Sequence, residues 1–357
     1  MHRSFCSVFL ALASGLAIFA LTGRAQPTPV DGPYRVLKTA KVGGEGGFDY
    51  VYADAAGRRL YIARSGPIPR VAVFDLETLA SAGEIPKTNA RGVAVDAQSH
   101  HGFASSKPVA MWDTATLAPV KTIEVNGRPD GILADGFNQH VYIFSHTAPN
   151  VTVIDAKDGS VLGTIDLGGA PEQAAADGQG HLYVDLEDKD SVAVVDAATM
   201  KVTARYDLHG KGGGNAGLAL DAANHILFVA CRNPQAMVML EANTGKYLAD
   251  LPIGRGCDGA VFNPDTMECF SAQGDGTLTV IKENSPTSFA VEQTVQTMPG
   301  AKTLTLDGRT GRILLIAAEY GQPLKPPAAP AAPAAPTGRP ARGPMLPDSF
   351  AVLVVGK

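Results

Sequence analysis

Short segments in which apolar and polar residues alternate recur along the whole chain, separated by turns rich in Asp, Gly and Asn. A period of two residues over such short runs predicts strands rather than helices. In the first unit, Phe48–Ala53 and Arg59–Arg64 flank the turn Asp54-Ala55-Ala56-Gly57, and Val71–Asp75 and Ala82–Ile85 flank Leu76-Glu77-Thr78-Leu79. The unit is therefore two hairpins. An Asp beside the first hairpin turn marks its return: Asp54, Asp96, Asp135, Asp177, Asp221, Asp265 and Asp307, at spacings of 42, 39, 42, 44, 44 and 42 residues. Four short strands repeated at this period predict an all-β fold, the seven-bladed β-propeller, with four-stranded antiparallel blades.

The repeat also predicts how the ring closes. Six blades are complete in chain order, at 48–85, 91–125, 129–167, 171–208, 215–253 and 257–295. The seventh has a hairpin at 301–319 and a last strand, Phe350–Val355, but lacks an outer strand. The segment 34–42 (YRVLKTAKV) is the expected supplier, which would tie the two ends of the chain together and leave no blade incomplete. Residues 34–357 then form one domain. Residues 321–347, dense in Pro and Ala, fall between the second and third strands of the seventh blade. Such a tract favours extended, solvated backbone. A loop emerging beside the channel mouth is expected, as a lid, a tether or a passive spacer, with the spacer favoured.

The third strands end in Asp75, Asp113, Asp155 and Asp196, with Glu241 and Lys282 at the matching places in two later units. Tolerance of Glu and Lys there predicts a turn-holding role and not a ring of catalytic acids. The lone Trp112-Asp113 pair occurs once and does not define a repeat of its own.

The start of the chain reads differently. His2 and Arg3 precede an almost wholly apolar or small-residue run, 5–21, and Gly23-Arg24-Ala25 offers a cut before Gln26. This predicts a signal peptide at 1–25, a short lead at 26–33, and a periplasmic or secreted chain with no membrane span after processing. The alternative is a retained N-terminal anchor. The processed chain would carry a formal charge of −7, which argues against nucleic acid as a partner. Cys231, Cys257 and Cys269 remain. The first two fall at the same end of neighbouring blades, so either a disulfide between them or three buried thiols is consistent with the spacing.

The second strands Leu60-Tyr61-Ile62-Ala63, Val141-Tyr142-Ile143-Phe144, Leu182-Tyr183-Val184-Asp185 and Leu227-Phe228-Val229-Ala230 resemble the motif of YVTN-repeat propellers, although the Asn of the literal tetrapeptide is absent. The segment VTVIDAKDGSVLGTIDL resembles the third and fourth strands of the same repeat. Over 48–320 and the last strand, the chain is similar to the YncE-like branch of exported bacterial propellers. The resemblance implies seven blades and an export route, and brings no shared catalytic motif.

Candidate chemistry follows from the repeat register. Five residues before each hairpin Asp stand Asp49, Arg91, Asp130, Glu172, Ala216 and Lys302, with Asp258 in the sixth blade if Asn263 is the true marker there. The next tier is Tyr50, Gly92, Gly131, Gln173, Gly217, Gly259 and Thr303. Glycine there suits inner strands crowding an axis. The ends of the second strands add Arg64, Lys107, His146, Glu187, Arg232 and Glu319 near the same face. A charged rim that varies from blade to blade reads equally as a binding site and as a solvated surface.

The expected ligand-binding set is Asp49, Arg91, Asp130, Glu172, Asp258, Lys302, Arg64, Lys107 and Glu319, on a scaffold binding a small molecule, peptide or protein. A monomer is the expected state. The alternative is a lactonase-like or lyase-like enzyme with His146, Glu187 and Arg232 as catalytic candidates. No cofactor is expected, although the carboxylates of the rim are of the type that hold Ca²⁺. The absence of Cys-x-x-Cys-His argues against haem. His100, His101, His140, His181 and His225 fall in or beside turns of the opposite face. The glycine-rich 210–214 segment reads as a connector.

Overall fold

The structure is a computed structural model and describes residues 32–148, 150–323 and 343–357. The expected signal peptide, nearly all of the 26–33 lead, and 324–342 of the Pro/Ala tract lie outside the described residues.

Seven sheets of four antiparallel strands are present, and no helix occurs among the described residues. In six sheets the strands pair in chain order, from the inner strand at the axis outward; the first runs Gly47–Asp54, Arg59–Ser65, Arg70–Asp75 and Ser81–Pro86. The seventh is made from both ends of the chain: Leu304–Asp307, Arg312–Ala317 and Ala351–Gly356 are completed on the outside by Arg35–Lys41. Val36 pairs with Val355, Thr39 with Leu353 and Lys41 with Ala351, with a bulge at Leu37. Tyr34 anchors this strand to the sixth blade: its N–H donates to Gln293 Oε1 at 2.9 Å and its carbonyl accepts from Gln293 Nε2 at 2.7 Å.

The core lies between blades. Leu60, Ile62 and Phe74 of blade one face Leu314, Ile316 and Val352 of blade seven. The opposite face of blade one places Tyr61, Val71 and Val73 against Trp112 of blade two. Each blade is therefore covered on both faces, which explains why Leu60-Tyr61-Ile62-Ala63 is continuously apolar and fully buried. At the axis, glycine permits close approach. A Cβ on Gly217 would lie 2.8 Å from the Gly259 carbonyl carbon of the next blade.

The marker acids hold turns. Asp54, Asp96, Asp135, Asp177, Asp221 and Asp307 each accept backbone N–H groups of the turn that follows. In blade six Asn263 occupies the same place and accepts from Asp265 N–H at 3.1 Å. Asp75, Asp113, Asp155 and Asp196 hold the second turns in the same way. Cys231, Cys257 and Cys269 are buried free thiols, so the disulfide alternative is not realised. Burial pushes the Cys257 thiol up to about 12 and keeps it protonated and inert.

Candidate ligand-binding cup at the channel mouth

The inner strands do not enter their sheets in regular register. One extra residue sits on the inner strand between Phe48 and Val51, Pro129 and Ile132, Pro171 and Ala174, and Cys257 and Ala260. A bulge re-aims side chains that a regular strand would send to alternate faces. Here the bulges contain Asp49-Tyr50, Asp130-Gly131, Glu172-Gln173 and Asp258-Gly259. The first residue of each pair contributes to a charged tier and the second lies in the tier below.

The lower tier bridges the axis. Tyr50 of blade one donates its hydroxyl to the Glu172 carbonyl of blade four at 3.2 Å. The Gln173 side chain of blade four reaches blades five and six: Oε1 accepts from Leu218 and Ala260 N–H at 3.0 Å each, and Nε2 donates to the Ala260 carbonyl at 2.9 Å. Two long side chains among glycines thus form a floor. The channel mouth is a cup over that floor.

The cup wall carries one separate ion pair and one longer chain of them. Arg91 Nη1 meets Asp49 Oδ2 at 2.7 Å. His146 Nε2 stands 3.2 Å from Asp130 Oδ2 and 3.1 Å from Glu172 Oε2. Glu172 Oε1 is 3.9 Å from Arg232 Nη2, and Arg232 Nη1 meets Glu187 Oε2 at 3.0 Å. Asp258 pairs with both Arg232 and Lys302. The structure thus brings together Asp49, Arg91, Asp130, His146, Glu172, Glu187, Arg232, Asp258 and Lys302. Of the catalytic candidates, Glu187 and Arg232 are in direct contact, and His146 joins them only through Glu172.

These groups titrate unusually. Burial, with the nearby charges of Glu172 and Asp49, pushes the Asp130 carboxyl up to about 6. The bond to Glu172 raises His146 above the ordinary imidazole value. Burial works to raise Glu172, but its bond to His146 and the charge of Arg232 outweigh this and hold it below the usual range. Behind Glu172 lies Asp185, fully buried, accepting from Gln173 N–H at 2.6 Å. Burial holds its carboxyl well above the ordinary range.

Three of the expected residues lie elsewhere on this face. Arg64 is 1% exposed. Its guanidinium donates to the carbonyls of Gly43, Gly44, Glu45, Gly46 and Gly47 and sits 3.7 Å over the Phe350 ring. Lys107 is exposed, donates to the Gly127 carbonyl at 2.9 Å and edges a recess with Arg91, Ser105 and Arg128. Glu319 faces Lys41 at 3.8 Å and borders a shallow cavity with Met298, Tyr320 and Leu346. The floor was not foreseen, although Tyr50 and Gln173 are the two large side chains of a tier otherwise made of Gly and Thr. Asp185, which stands in a second-strand run of apolar residues, was also missed.

No family model matches the chain, and no curated protein matches it in sequence. The fold is recognisable in solved structures. A chain in the crystal structure of mitotic checkpoint complex is similar with a TM-score of 0.69 at 12% identity, over 85% of this chain and 96% of that one. Likeness at that identity identifies the β-propeller fold alone. The fold recurs in 1620 chains, so it selects no activity by itself. Among the described residues no helix is long and apolar enough to cross a membrane.

Proposed function

We propose that the chain is a binding module that seats a small polar ligand, or the charged end of a larger one, in the cup at its channel mouth. The observation that carries this reading is the combination of a floor bridged by Tyr50 and Gln173 with a wall whose charges differ from blade to blade. A merely solvated rim needs neither the Tyr50 and Gln173 bridges nor five carboxylates gathered against three fixed cations. The surplus of acid favours a ligand group that is positively charged. The likeness of the second strands to YVTN repeats supports placing the chain in the YncE-like, exported group, with the 1–25 signal peptide removed.

A panel of small amines, guanidines, carboxylates and zwitterions tests the reading by thermal shift. A ligand in excess stabilises the folded chain by RT ln(1 + [L]/Kd), which raises the melting temperature. Cationic members should stabilise the chain, and Asp258→Asn should abolish the effect. Stabilisation by carboxylates alone would overturn it.

A second reading is favoured by one observation. Asp130, pushed up to about 6 by burial, and His146, raised above the ordinary imidazole value by its bond to Glu172, share one contact, and a paired acid and base are what proton-transfer catalysis requires. It supports the lactonase-like or lyase-like alternative. Turnover of a lactone panel that disappears in His146→Ala, with melting unchanged, would favour it over a pure binder.

A further inference from the structure

The cup contains one cluster whose geometry goes beyond general charge. Asp130, His146 and Glu172 each offer one ligand atom, and the three atoms lie within 4.8 Å of one another. The two nitrogen–oxygen separations are 3.2 and 3.1 Å. A divalent ion with bonds of about 2.1 Å to nitrogen and oxygen separates neighbouring ligands by roughly 3.0 Å in an octahedron and roughly 3.4 Å in a tetrahedron. The observed separations fall between these values. Two of the three ligand-to-ligand separations therefore already suit a shared ion.

Three further features point the same way. The residues come from two blades: Asp130 stands in Pro129–Asp135 and His146 directly follows its partner strand His140–Ser145, both of blade three, and Glu172 stands in Pro171–Ala176 of blade four. Two of the ligands stand in inner-strand bulges, so their place is set by the ring and not by a free loop. The fixed cations of the cup are directed to other acids: Arg91 to Asp49, Arg232 chiefly to Glu187 and Asp258, and Lys302 to Asp258. With His146 neutral, the nine groups carry five negative and three positive charges, a surplus equal to the charge of one divalent ion. The cluster is also backed by a buried acid. Asp185 accepts through one oxygen from the residue following Glu172, while its other oxygen has no hydrogen-bond partner among the described residues.

We propose that Asp130, His146 and Glu172 form a binding site for a divalent first-row transition ion such as Zn²⁺, Mn²⁺ or Fe²⁺. Nitrogen in the donor set separates this site from a Ca²⁺ site, which takes six to eight oxygens at longer distances. One imidazole and two carboxylates suit borderline ions and leave positions for water or a ligand atom. The ion takes the place of the proton that Nε2 now shares with the two carboxylates. The inference deepens the reading of the cup as the binding surface: the ion is itself a positively charged occupant of the kind the surplus of acid favours.

The test uses the full chain, stripped with a chelator and titrated with ZnCl₂, MnCl₂ and CaCl₂ by calorimetry. Zn²⁺ should bind one to one, more tightly than Mn²⁺, with Ca²⁺ weakest. Affinity for Zn²⁺ should fall at least 100-fold in His146→Ala and in D130N/E172Q, and stay unchanged in His100→Ala on the opposite face. X-ray absorption of the Zn²⁺-loaded wild-type chain is independent of whether those variants fold. It should show a nitrogen and oxygen shell at about 2.0–2.1 Å. A sulfur shell, no binding below millimolar Zn²⁺, or full affinity in a folded His146→Ala would overturn the proposal. The stripped chain is also titrated with the small cations described above. If they bind and Asp258→Asn abolishes the binding while Zn²⁺ does not bind, the metal site falls and the cup reading stands. If neither binds, both fall.

Discussion

Replacing Arg64 should destabilise the ring without touching the cup. The side chain has five donor contacts, at 3.4 Å to Gly47, 3.3 Å to Gly43, 2.9 Å to Gly44, 3.1 Å to Glu45 and 3.2 Å to Gly46, all to carbonyl oxygens. It also stacks 3.7 Å above Phe350, the residue before Ala351–Gly356, the strand on which Arg35–Lys41 closes the seventh blade. Burial, helped by the like charge of Arg70, lowers its pKa to about 10, so it stays charged at neutral pH. A desolvated cation over an aromatic ring contributes up to about 2 kcal/mol. Hydrogen bonds from a charged donor contribute about 1.5–3 kcal/mol each, but the Gly43–Gly47 segment is itself partly exposed, and water can replace most of them. Arg64→Ala should therefore cost about 2–4 kcal/mol, read as a lower urea midpoint with the slope unchanged. Arg64→Lys keeps the charge but not the fork, and should recover less than half of that. A midpoint within about 0.5 kcal/mol of wild type would refute the reasoning, because it would mean that the guanidinium organises nothing.

Other expectations are as direct. Deleting residues 26–42 removes the outer strand of blade seven and leaves Ala351–Gly356 as a bare apolar edge; gel filtration should show aggregates, and a stable monomer would argue against closure by this strand. Gly217→Val forces a Cβ to within 2.8 Å of the neighbouring inner strand and should cost about 1–3 kcal/mol in a urea titration. Glu283 is buried beside Asp221 and shares Asn224 with it, and burial pushes its carboxyl up to about 7. The folded chain then holds a proton that the unfolded chain releases near pH 4.5. Stability should fall as pH rises from about 4.5 to about 7, by about 1–3 kcal/mol, and Glu283→Gln should flatten that slope in denaturation curves taken across the range.

The ring was readable because its signals are local and repeated. Turn acids recur at fixed spacing since each holds its own hairpin, and the odd strand at 34–42 had one vacancy to fill. The Asn263 exchange left no mark in the spacing, because Asp265 lies 44 and 42 residues from its neighbours and Asn263 lies 42 and 44. The cup was legible only in part. Arg64 and Arg232 both end second strands and look equivalent in sequence, yet one turns under the Gly43–Gly47 segment and the other into the cup. What separates them is the neighbouring chain: glycines offering bare carbonyls beside the first, Glu187 and Asp258 beside the second. Likewise His146 was grouped with Glu187 and Arg232, whereas its direct partners are Asp130 and Glu172. That pairing depends on inner-strand bulges, and a one-residue insertion leaves little trace in an alternating pattern.

The cup can be tested most directly by crystals of the chain soaked in a fragment collection that spans cations, anions and neutral rings. The account predicts that cationic fragments gather above Tyr50 and Gln173, in contact with Asp130, Glu172 or Asp258. Fragments found only in the shallow cavity beside Tyr320 and Leu346, with the cup holding nothing but solvent, would contradict it.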